Sequence, residues 1–148
     1  MSQLLQEIEA LRQPMKELND FIFDHPELGN EEFQAHELLT NLLEKEGFAV
    51  DHEVSGLKTA FRAVYHVNGG GPKIGLLCEY DALEGLGHAC GHNLQGPSIC
   101  TAAIALKRTL KAPCTLVVYG TPAEETASGK LVMAREGVFD DLDLAFMM

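Results

Sequence analysis

Apolar residues recur at three- and four-residue steps through the first stretch of the chain: Leu5, Ile8, Leu11, Met15, Leu18 and Ile22. That spacing predicts a helix with one buried stripe. Pro14 interrupts it, so a kink or a restart is expected rather than one straight rod. His25-Pro26-Glu27-Leu28-Gly29 reads as a turn. Phe33, Leu38, Leu39, Leu42 and Leu43 then mark one face of a second helix, with Gly47 as its C-terminal stop. From Phe48 the texture changes to strands. Residues 48–54 alternate loosely, and residues 59–67 are rich in β-formers. The turn Asn68-Gly69-Gly70-Gly71-Pro72 predicts that the next strand, residues 73–78, returns antiparallel as a hairpin. Residues 74–78 are apolar without alternation, as in a strand buried on both faces. A helix over about residues 97–110, a second buried strand at 115–119, a short helix near 127–136 and a last strand at 142–148 complete the pattern.

Strand, helix and strand across residues 74–119 form a βαβ unit, whose strands run parallel with a right-handed crossover. The fold class is therefore α/β, a mixed β-sheet flanked by helices on both faces. Two loops, residues 79–93 and 120–128, fall at the carboxyl ends of the parallel strands. Open α/β sheets bind their ligands at that edge. The chemistry is expected there.

Composition narrows the function classes. The 148 residues suit one modest domain, and 46% apolar against 22% charged is an ordinary globular balance. Eleven Lys and Arg against 22 Asp and Glu leave a formal charge of −11, which disfavours nucleic-acid partners. No apolar run approaches the roughly 18–20 residues that span a bilayer, so no membrane partner is expected. The opening residues are amphipathic and acidic and do not resemble an export signal. Four cysteines then read as reduced thiols, and a cytoplasmic location is the expectation.

The first loop runs Glu79-Tyr80-Asp81-Ala82-Leu83-Glu84-Gly85-Leu86-Gly87-His88-Ala89-Cys90-Gly91-His92-Asn93. Cys90 and His92, separated by one glycine, can turn their side chains to one side of a tight turn. Thiolate with imidazole suits zinc or a similar divalent ion. A buried thiol beside a hydrogen-bonded histidine fits the spacing equally well. A Cys90 nucleophile paired with His92 is a third reading, though residues two apart rarely meet in that geometry. The second loop carries Pro122-Ala123-Glu124-Glu125. Adjacent carboxylates after a buried strand are costly unless a metal or a proton neutralises one, so one ligand and one general base would explain the pair. A solvated surface pair is the plainer alternative. Asp81 fits a site carboxylate, a helix cap or a turn. His25, His36, His52 and His66 show no clustered partners and read as structural or surface residues. Cys78, Cys100 and Cys114 lie in apolar contexts and read as small core residues. Gly69-Gly70-Gly71 opens no helix and lacks the lysine of a phosphate loop.

Together the pieces resemble the M20 family of metallopeptidases and amidohydrolases. The residues that carry the likeness are His25-Pro26-Glu27-Leu28-Gly29 with Glu32-Phe33, then Glu79-Tyr80-Asp81-Ala82-Leu83, then Gly87-His88-Ala89-Cys90-Gly91-His92-Asn93, then Pro122-Ala123-Glu124-Glu125. Their order and spacing match, and the likeness is nearest to the branch of aminobenzoyl-glutamate hydrolases, N-acyl amino acid amidohydrolases and M20-domain dipeptidases. Asn93, where many relatives have Asp, favours that branch. Glu84 stands where the family commonly has Pro, so the turn after Asp81 is expected to be looser.

The resemblance implies Cys90, His92 and Glu125 as metal ligands, Glu124 as general base and Asp81 as a supporting carboxylate. His88 would support a ligand or contact substrate. Two divalent ions, zinc or manganese, would serve hydrolysis of an amide bond in an N-acyl amino acid, an aryl-acyl glutamate or a dipeptide. The family has a further histidine ligand just past a strand like residues 144–148, then an inserted dimerisation domain and a distal metal histidine. The 148 residues are therefore expected to be the N-terminal part of a catalytic domain, holding one ion or none and inactive alone. The rival expectation is a non-catalytic, truncated domain that survives as a binding fragment. An exposed apolar strand at residues 144–148 predicts self-association into a homo-oligomer.

Overall fold

A computed structural model describes residues 2–148; Met1, at the head of the acidic amphipathic opening, lies outside the described residues. The first apolar stripe folds as two helices, α1 (Gln3–Ala10) and α2 (Arg12–Asp24). The restart falls at Leu11, which puts Pro14 in the first turn of α2, where its missing N–H costs nothing. Helix α3 (Phe33–Lys45) follows. Gly47 takes a left-handed φ of 82° just past its end and donates to the Glu44 carbonyl, which makes it the predicted stop. Strand β1 (Ala49–His52) is shorter than the alternation suggested, because the chain turns into a 3-10 segment at Val54–Gly56. Then come β2 (Phe61–Val67), β3 (Lys73–Cys78), α4 (His92–Thr109), β4 (Cys114–Gly120), α5 (Gly129–Arg135) and β5 (Leu144–Phe146).

The strands form one mixed sheet in the order β1-β2-β4-β3-β5. Strands β3, β4 and β5 run parallel, whereas β1 and β2 are antiparallel additions on one side. The expected hairpin between β2 and β3 is corrected here: β4 lies between them, antiparallel to β2 and parallel to β3. The turn at residues 68–72 reverses the chain but steps over one strand, a lateral move of about 10 Å that five residues span easily. Pro72 marks the crossing, its carbonyl accepting from the Thr115 amide at 2.9 Å.

Strand β4 is buried throughout and alternates between the sheet's two sides. Leu116 and Val118 join the main core with Leu39, Leu43, Phe61, Ala103 and Ile104, under the helices that precede β4. Val117 and Tyr119 face a smaller cluster with Ala60 and Met133, the latter from α5. Helix α4 begins at His92, five residues earlier than Pro97 suggested. Pro97 sits inside it, and the helix starts instead from Gly91, whose φ of 89° places the chain in the left-handed region that glycine tolerates. That early start places His92 directly beside the β3–α4 loop.

Candidate metal centre

The two predicted loops meet at the carboxyl ends of β3 and β4. The Thr121 amide donates to the Cys78 carbonyl at 2.9 Å, tying the end of one strand to the end of the other. Asp81 then joins the loops through its side chain. It is fully buried, its Oδ1 lies 2.9 Å from His92 Nδ1, and its Oδ2 accepts from the Glu125 amide at 2.9 Å. Cys90 Sγ points at the Asp81 carbonyl, 3.8 Å away. One carboxylate thus organises both loops.

Its bond to Nδ1 leaves the other nitrogen of His92 facing inward. Nε2 lies 3.2 Å from Glu79 Oε2 and 4.0 Å from Glu125 Oε1. Burial opposes the charged imidazole of His92. The hydrogen bond it donates to Asp81 and the nearby Cys90 outweigh that effect, and its pKa is raised to about 9. One donor atom each from Cys90, His92 and Glu125 lies within 4.8 Å of the others, the one such three-residue cluster found among the described residues. A cleft of about 270 Å³ opens beside them, lined by Glu79, Cys90, Gly91, His92, Leu94, Gln95 and Met148. Glu124 is half-buried on the same loop as Glu125. His88 is buried with neither ring nitrogen hydrogen-bonded, and burial lowers its pKa, so it is a neutral wall residue beside the cluster.

The donor set fits a divalent ion. Thiolate, imidazole and carboxylate together suit zinc and its neighbours, and a carboxylate behind the far nitrogen of a ligating histidine fixes its tautomer. The nucleophile reading of Cys90 finds no support here, since no hydrogen bond joins its thiol to His92 among the described residues.

Several residues that build this site carried the family likeness in the sequence but were given no role there. Glu79 is buried at the end of β3, hydrogen-bonded through Oε2 to Gln95 Nε2 at 2.8 Å and paired through Oε1 with Lys130. An acid directly after a continuous apolar run was a readable signal, the same one that marked Glu124 and Glu125. Glu32 is fully buried; its Oε1 accepts from the Ala123 amide at 2.8 Å and its Oε2 from Thr59 Oγ1 at 2.7 Å. It fixes the second loop where Ala123 adopts a left-handed φ of 58°. Glu27 caps α3 by accepting from the amides of Gln34 and Ala35 at 3.0 Å, and its own carbonyl accepts from the Ala82 amide at 2.8 Å. Gly29 packs so close to Ala123 that a Cβ would come within 2.8 Å of it. The turn at residues 25–29 is therefore a brace for both loops.

No family model matches the chain. It is 44% identical over 158 aligned residues to one component of the p-aminobenzoyl-glutamate hydrolase of Escherichia coli, covering 93% of this chain and 32% of that protein. It is 40% identical over 153 residues to the mouse Xaa-Arg dipeptidase, covering 95% of this chain and 36% of the dipeptidase. Among solved structures, a Bacillus subtilis protein described as a dinuclear metal-binding peptidase of the M20 family superposes with a TM-score of 0.82 at 27% identity, over 93% of this chain and 42% of that one. In sequence and in fold, the chain is similar to that M20 peptidase over the part it spans. It spans about a third of the length of the curated relatives. The two curated relatives are, by name, a hydrolase of p-aminobenzoyl-glutamate and a dipeptidase. No helix in it is long and apolar enough to cross a membrane among the described residues.

Proposed function

We propose that this chain is the N-terminal part of the catalytic domain of a metal-dependent amidohydrolase or peptidase. The reaction is hydrolysis of an amide bond in an N-acyl amino acid, an aryl-acyl glutamate or a dipeptide. The observation that carries this reading is the convergence of Cys90, His92 and Glu125 around a cleft, with Asp81 hydrogen-bonded to both loops behind them. These three residues hold one divalent ion, zinc or manganese. A second ion needs donors from outside these 148 residues, in keeping with the two-ion character of the solved relative.

A bound ion supplies Lewis acidity toward the amide carbonyl and toward water. The remaining work falls to side chains. Glu124 accepts the proton of the attacking water and returns it to the leaving amine. Asp81 keeps the His92 proton on Nδ1, so that Nε2 presents its lone pair to the cleft. Glu79, held by Lys130 and Gln95, keeps negative charge beside the ligands and favours cation over anion at the inner end of the cleft. The chain's charge of −11 does not exclude an acidic substrate, because a bound cation dominates the local potential.

Equilibrium dialysis against zinc and against manganese tests the site. At low metal concentration one tightly held ion per chain is expected at this centre, lost when Cys90 is replaced by Ser. A chain that retains no ion from either solution would overturn the ligand assignment. The substrate class is tested on the longer protein containing this chain, with a panel of N-acyl amino acids, aryl-acyl glutamates and dipeptides. Loss of hydrolysis in Glu124→Gln with metal content unchanged is the expected signature of a general base.

A further inference from the structure

We propose that His36 and His52 form a second metal site, in which the two imidazoles chelate one borderline divalent cation of the zinc, nickel or copper class. The sequence offered no partner for either histidine, but folding brings them together. His36 lies on α3 and His52 ends β1, two elements that pack against each other. His36 Nε2 and His52 Nδ1 are 3.3 Å apart. Without an ion the two rings share a long hydrogen bond across that gap. The gap matches a tetrahedral chelate, because an ion about 2.0–2.1 Å from each nitrogen holds the two about 3.3–3.4 Å apart.

The rings agree with the nitrogens. Their centroids are 5.2 Å apart with the planes inclined at 61°. A tetrahedral ion between the nitrogens places the centroids about 5.2 Å apart. A straight hydrogen bond across the observed gap would place them about 5.6 Å apart.

The surroundings favour a cation at the two rings. Glu44 Oε1 lies 3.8 Å from His52 Nε2, the nitrogen that faces away from His36. That separation is too long for a hydrogen bond, so the carboxylate acts on the ring through its charge and favours a cation nearby. His36 sits edge-on to Phe61 at 5.8 Å, which limits its rotation. The carboxylates of Glu37 and Glu53 act on His36 through their charge and give the patch a negative field that attracts cations. Water completes the coordination. With two protein donors instead of three, this site binds more weakly than the one at Cys90. It would clip the edge strand β1 to helix α3, and an ion that binds only the folded chain raises its melting temperature.

Titration of the isotopically labelled chain with paramagnetic Ni2+ tests the proposal, because signal loss reports position and both sites are read in one experiment. Two groups of amides are expected to broaden, one around residues 88–93 and one on α3 and β1 around His36 and His52. His52→Gln is the first variant, since His52 is exposed and its replacement leaves the core intact. It is expected to raise the half-saturation concentration of the second group by about tenfold or more while leaving the first group unmoved. His36→Gln should do the same, and His66→Gln, exposed at the far end of β2, should change neither. The proposal fails if the amides of α3 and β1 stay sharp while those near Cys90 are lost. It fails equally if their broadening survives His52→Gln at the same Ni2+ concentration.

Discussion

The carboxyl ends of β3 and β4 and the outer edge at β5 belong to one sheet, yet they meet their surroundings in opposite ways. At the first, Asp81, Glu79 and Glu32 are buried, and every carboxylate oxygen has a donor: His92 and Glu125, Gln95 and Lys130, Ala123 and Thr59. At the second, Leu144, Phe146, Met147 and Met148 each expose more than half of their surface, and β5 pairs with β3 alone. Buried charge is tolerable only where it is answered, so the site draws residues from three distant stretches of chain to answer it. The edge carries no such demand and stays open. One region answers its buried charge from within the chain, and the other leaves apolar side chains exposed.

The largest effect should come from removing an anchor of the first region. Glu32→Ala strips the acceptor from the Ala123 amide and from Thr59 and leaves a cavity. A loss of about 2–4 kcal/mol in urea unfolding is expected. Faster hydrogen exchange at residues 121–126 should accompany it, because the second loop loses its hold. An unfolding free energy within about 0.5 kcal/mol of the parent would mean that Glu32 does not fix the loop.

Next in size is a change confined to the ligands. Cys90 is exposed, so Cys90→Ser should leave the unfolding curve nearly unmoved while weakening zinc binding by about 100-fold or more, since hydroxyl replaces thiolate. Competition against a chromophoric chelator measures it. Equal affinity in parent and variant would remove Cys90 from the ligand set.

At the edge the expected effect is on association. The chain on its own should self-associate through β5, as an exposed apolar strand with a free side does. Replacing Leu144 and Phe146 by Glu should return it to a monomer in light scattering, with stability changed by no more than about 0.5 kcal/mol per substitution. A parent chain that is already monomeric at high concentration would show that the edge is self-sufficient.

The contrast also explains what the sequence could tell. The βαβ rule located both site loops, and Cys90-Gly91-His92 with Glu124-Glu125 named their side chains, because each signal is local. The error at β2 and β3 arose because Asn68–Pro72 encodes a reversal and says nothing about which strand will lie alongside. Glu32 was part of the family likeness, but its role was not legible, since its partners are 27 and 91 residues away in the chain. His36 and His52 are 16 residues apart, on a helix and a strand, and neither period places them together. Local chemistry is legible in sequence, whereas the buried brackets that hold it depend on tertiary packing.

The smallest expected effect concerns the charge on one of those brackets. Burial raises the pKa of Glu32 above its ordinary value of 4.5, with the hydrogen bond from Thr59 opposing. The folded chain therefore holds that proton more tightly than the unfolded chain does. Its contribution to stability is fully present below pH 4.5, where both states are protonated, and is lost as the pH rises through the raised folded value. Glu32→Gln removes this slope and keeps both contacts. Its amide oxygen can accept from Ala123 while its NH2 donates to Thr59, whose hydroxyl rotates to receive it. Urea unfolding at several pH values above 4.5 should then show a shallower decline for Glu32→Gln than for the parent, with the two converging at the acid end. Parallel curves would mean that Glu32 carries its charge in the fold without penalty. In that case the donors around it, and not its protonation, would be what makes the buried carboxylate tolerable.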